Sequence, residues 1–220
     1  MCGRSSGWGW STWGNRMKRS FWDRAAWFYD LAEALNGRAY RAMTEQVGRL
    51  TPRGSLALDC AAGTGELAIA MAGRAERVLC TDLSLPMLER AARKAEKRGV
   101  LNLEFAVRDL TALPDPDHTY DAAAAGNVLH LLEDPALAVS QLLRVTKPGG
   151  PVILPTFLLG EWNGAGAALA AYRLLGFRPA SRFTAGTYRA LLERADARLT
   201  CFEVIPGWIP VGLGILQRIP

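Results

Sequence analysis

The chain has 220 residues, half of them apolar, and a formal net charge of +5, a length that suits one domain with a well-buried core. No apolar run reaches the ~18–20 residues of a membrane span. Four of the bases (Arg4, Arg16, Lys18, Arg19) lie in residues 1–19 with no acid among them, so the remainder is close to neutral and carries no basic stripe for nucleic acid.

A cytoplasmic setting is expected, with no nucleic-acid partner and no stable membrane insertion; oligomeric state is not legible. Cys2, Cys60, Cys80 and Cys201 show no C-x-x-C spacing, and the last three sit in apolar strand-like runs. They are expected to be reduced and buried rather than bridged or zinc-bound.

The opening "MCGRSSGWGWSTWGNR" lacks periodicity and the apolar core of a signal peptide. Residues 1–16 are expected to be a disordered tail with Met17 the natural start; a binding tail built on Trp8, Trp10 and Trp13 is the alternative. Next, Trp22, Ala26, Trp27, Tyr29, Leu31 and Leu35 recur at 3–4-residue spacings, which predicts an amphipathic helix. Gly37 suits its C-terminus, a second helix runs to about Arg49, and "TPRG" is a turn.

Strand and helix signals then alternate: strand 55–60, helix 65–73, strand 76–81, helix 85–98, strand 102–107, strand 120–126, helix 134–144 and strand 151–157. That alternation predicts an α/β fold, Rossmann-like and doubly wound, with helices on both faces of a mostly parallel sheet. The tail departs from it. "ARLTCFEVI" and "VGLGILQR" read as strands separated only by "PGWIP", whereas a parallel crossover needs about a dozen residues or more. The seventh and last strand is therefore expected to be antiparallel. The domain 17–220 divides into cap helices at 21–49, a core at 55–157, a covering insertion at about 158–185, and a closing helix and strand pair at 186–218.

The first strand leads into "LDCAAGTGELA". Gly63, Gly65 and Ala68 have the G-x-G-x-x-G/A spacing of a dinucleotide turn, and Asp82 lies near the expected acidic position. Asp59, just before the turn, argues against a pyrophosphate there, because like charges in a low-dielectric site repel strongly. S-adenosylmethionine, which has no phosphates and carries a sulfonium and an α-ammonium group, would instead be stabilised by that carboxylate.

Five ordered blocks strengthen this view: "LDCAAGTGE", "VLCTDLSLPMLERA", "VRDLTALP", "YDAAAAGNVLHLLEDP" and "LLRVTKPGGPVIL". Together they resemble a class I S-adenosylmethionine-dependent methyltransferase of the UbiE-like small-molecule branch, over about residues 25–220. Ala61 departs from D-x-G-x-G-x-G, where many relatives have the first glycine. The resemblance implies that Asp82 accepts from the ribose hydroxyls, that Leu83 and Met87 pack on the adenine, and that Asp109 accepts from its amino group with Leu110 against the ring. It places Gly63 and Gly65 under the methionine moiety, with Ala61 and Thr64 also cofactor-binding, Asp59 and Asn127 at its polar end, and Tyr29 of "FYD" closing over the cofactor, with ordinary packing of Tyr29 as the alternative.

Asn127, Val128 and His130 follow the fourth strand, at the ligand edge. His130 is the only side chain there able to take a proton near neutral pH, so it is the general-base candidate, with a structural histidine as the alternative. Glu133 and Asp134 read as a helix start, and His118 as a solvated loop residue. Trp162, Tyr172 and Phe177 in the insertion are candidates for an apolar pocket wall, with a plain amphipathic covering helix as the alternative for each. No metal set is evident. The acceptor is expected to be a small apolar molecule: quinone-like, phenol, thiol or lipid. An NAD-dependent oxidoreductase and a non-catalytic S-adenosylmethionine-binding regulator are the rivals.

Overall fold

The computed structural model describes residues 36–161 and 180–219. Residues 1–16, the helix expected from Trp22 to Leu35, Cys2, Tyr29, Trp162, Tyr172 and Phe177 all lie outside the described residues. The strands are β1 (Leu56–Cys60), β2 (Arg77–Asp82), β3 (Leu103–Val107), β4 (Ala122–Ala124), β5 (Pro151–Phe157), β6 (Arg198–Ile205) and β7 (Val211–Gln217). They form one sheet in the order β3-β2-β1-β4-β5-β7-β6. Pairings from β3 through β5 are parallel, while β7 runs antiparallel to both β5 and β6. Only the last strand is thus reversed, as the five-residue connector requires.

The helices are α1 (Gly37–Leu50), α2 (Glu66–Ala72), α3 (Leu85–Lys97), α4 (Pro135–Val145) and α5 (Ala185–Glu193), with a 3-10 turn at Leu129–Leu131. Local chemistry fixes their starts. Ser84 accepts from the Met87 amide before α3, and Asp134 accepts from the Leu137 amide before α4, with Pro135 inside the first turn; Thr184 and Thr187 form a reciprocal box before α5. Gly37 is the first residue of α1, and the helix it was expected to close lies outside the described residues. β4 is shorter than the 120–126 expected, because Tyr120 makes only an isolated bridge to Thr146 and the backbone turns aside at Gly126 and Asn127.

Strand alternation builds two cores. Leu58 and Cys60 face one side with Leu142, Tyr188 and Leu192, so α4 and α5 cover that face. Ala57 faces the other side with Met43, Val47, Leu67, Met71 and Ala91, so α1, α2 and α3 cover it. Asp59, two residues beyond Ala57, must share this second face. Cys60 and Cys80 are buried as expected, whereas Cys201 is exposed because β6 forms a sheet edge. Among the described residues, no helix is long and apolar enough to cross a membrane.

Candidate functional site

β1 lies between β2 and β4, so successive connections leave it in opposite directions and a crevice opens at the carboxyl ends of these strands. The turn after β1 fills that crevice with backbone. Gly65 caps α2 at φ 82°, and a Cβ there would come within 2.7 Å of the Ala91 Cβ; both the left-handed conformation and the approach of α3 need glycine. Ala61 takes a left-handed φ of 51° despite its methyl group, and Asn127, on the loop after β4, takes φ 52°. For non-glycine residues such angles are strained and concentrate where function over-determines the backbone.

Asp59 is fully buried. Neither carboxylate oxygen has a hydrogen-bond partner among the described residues. Burial raises its pKa to about 8, the nearby Asp82 charge adds to the rise, and the Ala68 amide opposes it without reaching acceptable hydrogen-bond geometry. A buried acid in this condition is costly unless something positive compensates it. It lines a cavity of about 10 Å³ with Tyr40, Met43, Ala61, Ala62, Leu67, Gly126 and Asn127, room for one water at most.

At the end of β2, Asp82 is only partly buried. Its Oδ2 accepts the Gly63 amide and its Oδ1 the Ser84 amide, both at 2.9 Å. Asp109 is held similarly, its Oδ1 accepting from the Thr111 amide at 2.8 Å and hydroxyl at 2.6 Å. Leu83 is partly exposed, while Met87 and Leu110 are buried. The Thr64 hydroxyl is engaged by Lys94 at 2.7 Å, which also pairs with Glu66 at 2.9 Å.

His130 stands apart from the Asp59 cavity, on the 3-10 turn, and is 2% exposed. Its Nδ1 lies 3.2 Å from the Thr156 hydroxyl and its ring meets Phe157 edge-on at 6.0 Å. Burial pushes its pKa down to about 3. Its carbonyl accepts the Ser181 amide, which ties this turn to the chain just after the 162–179 segment.

The structure therefore gathers Asp59, Ala61 and Asn127 around one cavity, joins Asp82 to Gly63, and sets Asp109 and His130 at separate places along the same edge. Tyr40, Met43, Leu67 and Gly126 were not legible as site residues. Tyr40 and Met43 carried one usable signal, their i, i+3 spacing on an amphipathic helix. Gly126 carried none in isolation, yet a Cβ there would sit 2.5 Å from Leu67 Cδ1. Among the described residues, no group of three or more His, Cys, Asp and Glu side chains could hold a metal.

Residues 57–150 match a family profile described as a methyltransferase domain. The demethylmenaquinone methyltransferase of Streptomyces avermitilis is 30% identical over 193 residues, 86% of this chain and 78% of that protein. The protein of the same name from Thermus thermophilus is 35% identical over 147 residues, 64% of this chain and 66% of the relative. With the Renibacterium salmoninarum enzyme, 36% identity extends over 117 residues, and the chain spans about half of that protein, 46%. Among solved structures, a putative methyltransferase complexed with the Haloferax volcanii Trm112 activator superposes with a TM-score of 0.75 at 16% identity, covering 92% of this chain and 97% of that one. The [4+2]-cyclase SpnF gives 0.68 at 21% identity over 83% and 82%. These two likenesses concern the fold alone.

Proposed function

Because this chain belongs to the class I S-adenosylmethionine-dependent methyltransferases of the UbiE type, we propose that it moves a methyl group from S-adenosylmethionine to a small apolar acceptor of quinone-like character. The single observation that carries the proposal is Asp59, a sealed carboxyl without a partner among the described residues, on the strand that enters the glycine turn. Such a group fits a cofactor bearing an ammonium and fits a pyrophosphate poorly, which disfavours the oxidoreductase alternative.

Bound S-adenosylmethionine supplies an electrophilic methyl group on a sulfonium. The chain's residues bind and align. Asp59 would ionise opposite the ammonium, with Asn127 beside it. Asp82, its carboxylate oriented by the Gly63 and Ser84 amides, would accept from the ribose hydroxyls. Asp109 is oriented by Thr111 to face the adenine amino group, while Leu83, Met87 and Leu110 offer apolar surface to the ring. Alignment of nucleophile and methyl can contribute as much as ~7–11 kcal/mol.

His130 refines the acceptor. A base with a pKa of about 3 has little driving force to remove a proton near neutrality. The acceptor atom that suits this site is therefore already nucleophilic, a thiolate or an electron-rich quinol ring carbon whose displaced ring proton passes to solvent as S-adenosylhomocysteine departs, and His130 acts through its bond to Thr156 as a positioning residue. The names of the relatives favour the quinol within this pair. The test is methyl-labelled S-adenosylmethionine incubated with the full chain and a short-chain demethylmenaquinol analogue, alongside a thiol acceptor. Label in the ring supports the proposal; tight NAD binding with no S-adenosylmethionine binding would refute it.

A further inference from the structure

A second concave site lies on the opposite edge of the sheet. α4 and α5 both cover the face built on Leu58 and Cys60, and between them a groove of about 510 Å³ remains, within the ~300–1,000 Å³ of small-molecule pockets. Its floor is apolar: Val139 and Leu143 from α4, Leu191 from α5, and Ala195 just beyond it. Its position is far from the crevice. Gln217, next to Arg218, pairs with Pro151 at the start of β5, and Asp196 precedes the start of β6, so the groove opens at the amino ends of the parallel strands.

The rim is cationic in a specific way. Arg144 is already committed, donating to Asp117 at 2.8 Å and to the carbonyls of Asp115 and Leu113. The Arg194 and Arg218 side chains also line the groove, and neither guanidinium has a hydrogen-bond or ion-pair partner among the described residues, although the Arg218 charge helps hold the Asp117 carboxyl below its usual range. Three guanidiniums against the two carboxylates of Asp117 and Asp196 leave one positive charge over an apolar floor.

We propose that this groove binds a single-chain amphiphilic carboxylate, with the alkyl chain on the Val139–Leu143–Leu191 floor and the head group between Arg194 and Arg218. One negative charge neutralises the surplus on the rim; a dianion would reverse it. Planar guanidiniums suit a carboxylate, to which they can donate two parallel hydrogen bonds. The alkyl chain displaces water from Ala136, Leu191 and Ala195, which remain partly or fully exposed above the buried Val139 and Leu143. The site is independent of the cofactor crevice and of the methyl-transfer proposal.

The experiment titrates the full chain with decanoate below its micelle concentration by calorimetry, with decanol as the uncharged counterpart and phosphatidylglycerol vesicles as a bilayer source of anionic head groups. Decanoate is expected to bind one to one and at least tenfold more tightly than decanol. The double change Arg194→Gln with Arg218→Gln should weaken it tenfold or more, with melting temperature and S-adenosylmethionine affinity unchanged, and Ala195→Trp should block it by filling the groove. Equal binding of decanol, no loss in the double variant, or binding to vesicles without binding to monomeric decanoate would each overturn the proposal.

Discussion

The Asp82 carboxylate accepts the Gly63 amide at 2.9 Å, so the end of β2 is tied to the turn that follows β1. One side chain thus shapes the glycine turn from the neighbouring strand while remaining partly open to solvent. Asp82→Ala should weaken S-adenosylmethionine binding by the ~1.5–3 kcal/mol of a charged hydrogen bond, about tenfold or more by calorimetry. Unchanged affinity would remove Asp82 from the ribose site.

Asp59 predicts a proton linkage. Its pKa stands at about 8 in the folded chain, so near neutral pH the free protein holds it protonated, and binding an ammonium requires the carboxylate. Binding should therefore release a proton between pH 6 and 7.5, with affinity rising as pH rises. Above about 8 the trend should reverse as the cofactor's own amine, ordinarily ~7.7–8.0, loses its proton. Calorimetry in buffers of different ionisation enthalpy measures this, and no proton release at pH 6.5 would contradict it.

The same residue opposes stability. A carboxyl whose folded pKa lies above its unfolded value of 3.8 favours the folded state fully below 3.8, and that contribution is lost as pH rises toward about 8. Asp59→Asn should therefore gain melting temperature relative to the parent chain as pH goes from 5 to 8, level off above that, and bind S-adenosylmethionine far more weakly. A pH-independent difference in melting temperature would show that Asp59 does not titrate in this range.

Ala61 is held at φ 51°, a conformation costing an L-residue roughly 1–2 kcal/mol. Ala61→Gly relieves that strain and forfeits some of it to the extra freedom of glycine in the unfolded chain. The net expectation is a gain of about 0.5–1 kcal/mol, or about 1–4 °C in melting temperature at this size. A loss of stability would mean that the Ala61 methyl contributes packing that outweighs its backbone strain.

His130 predicts an acid-limb effect. With its folded pKa at about 3 against ~6.5 unfolded, the unfolded chain takes up a proton that the buried ring refuses, so stability is lost as pH falls from about 6.5 toward 3. His130→Gln should flatten that limb. In turnover, a positioning role predicts a loss of less than about tenfold with no change in the pH profile. A loss of the ~10²–10⁴ typical of a missing base, together with a vanished acid limb in the rate, would restore the ring as the proton acceptor.

What the sequence by itself determined follows from local chemistry. The strand–helix alternation, the cap at Asp134, the reversal of the last strand and the glycine turn rest on periodicity, short connectors and residues with distinctive backbone freedom. The five motif blocks added the family. Burial and convergence belonged to the tertiary structure. His130 reads as a titratable group until β5 brings Thr156 and Phe157 against it and removes water. Cys201 looks as buried as Cys60 until the strand order leaves β6 at the sheet edge. Tyr40 and Met43 become walls of the Asp59 cavity only because α1 crosses the face that Ala57 and Asp59 share, and the groove between α4 and α5 has no trace along the chain. Desolvation depends on which distant segments pack around a group, and a linear pattern encodes that only through the fold it specifies.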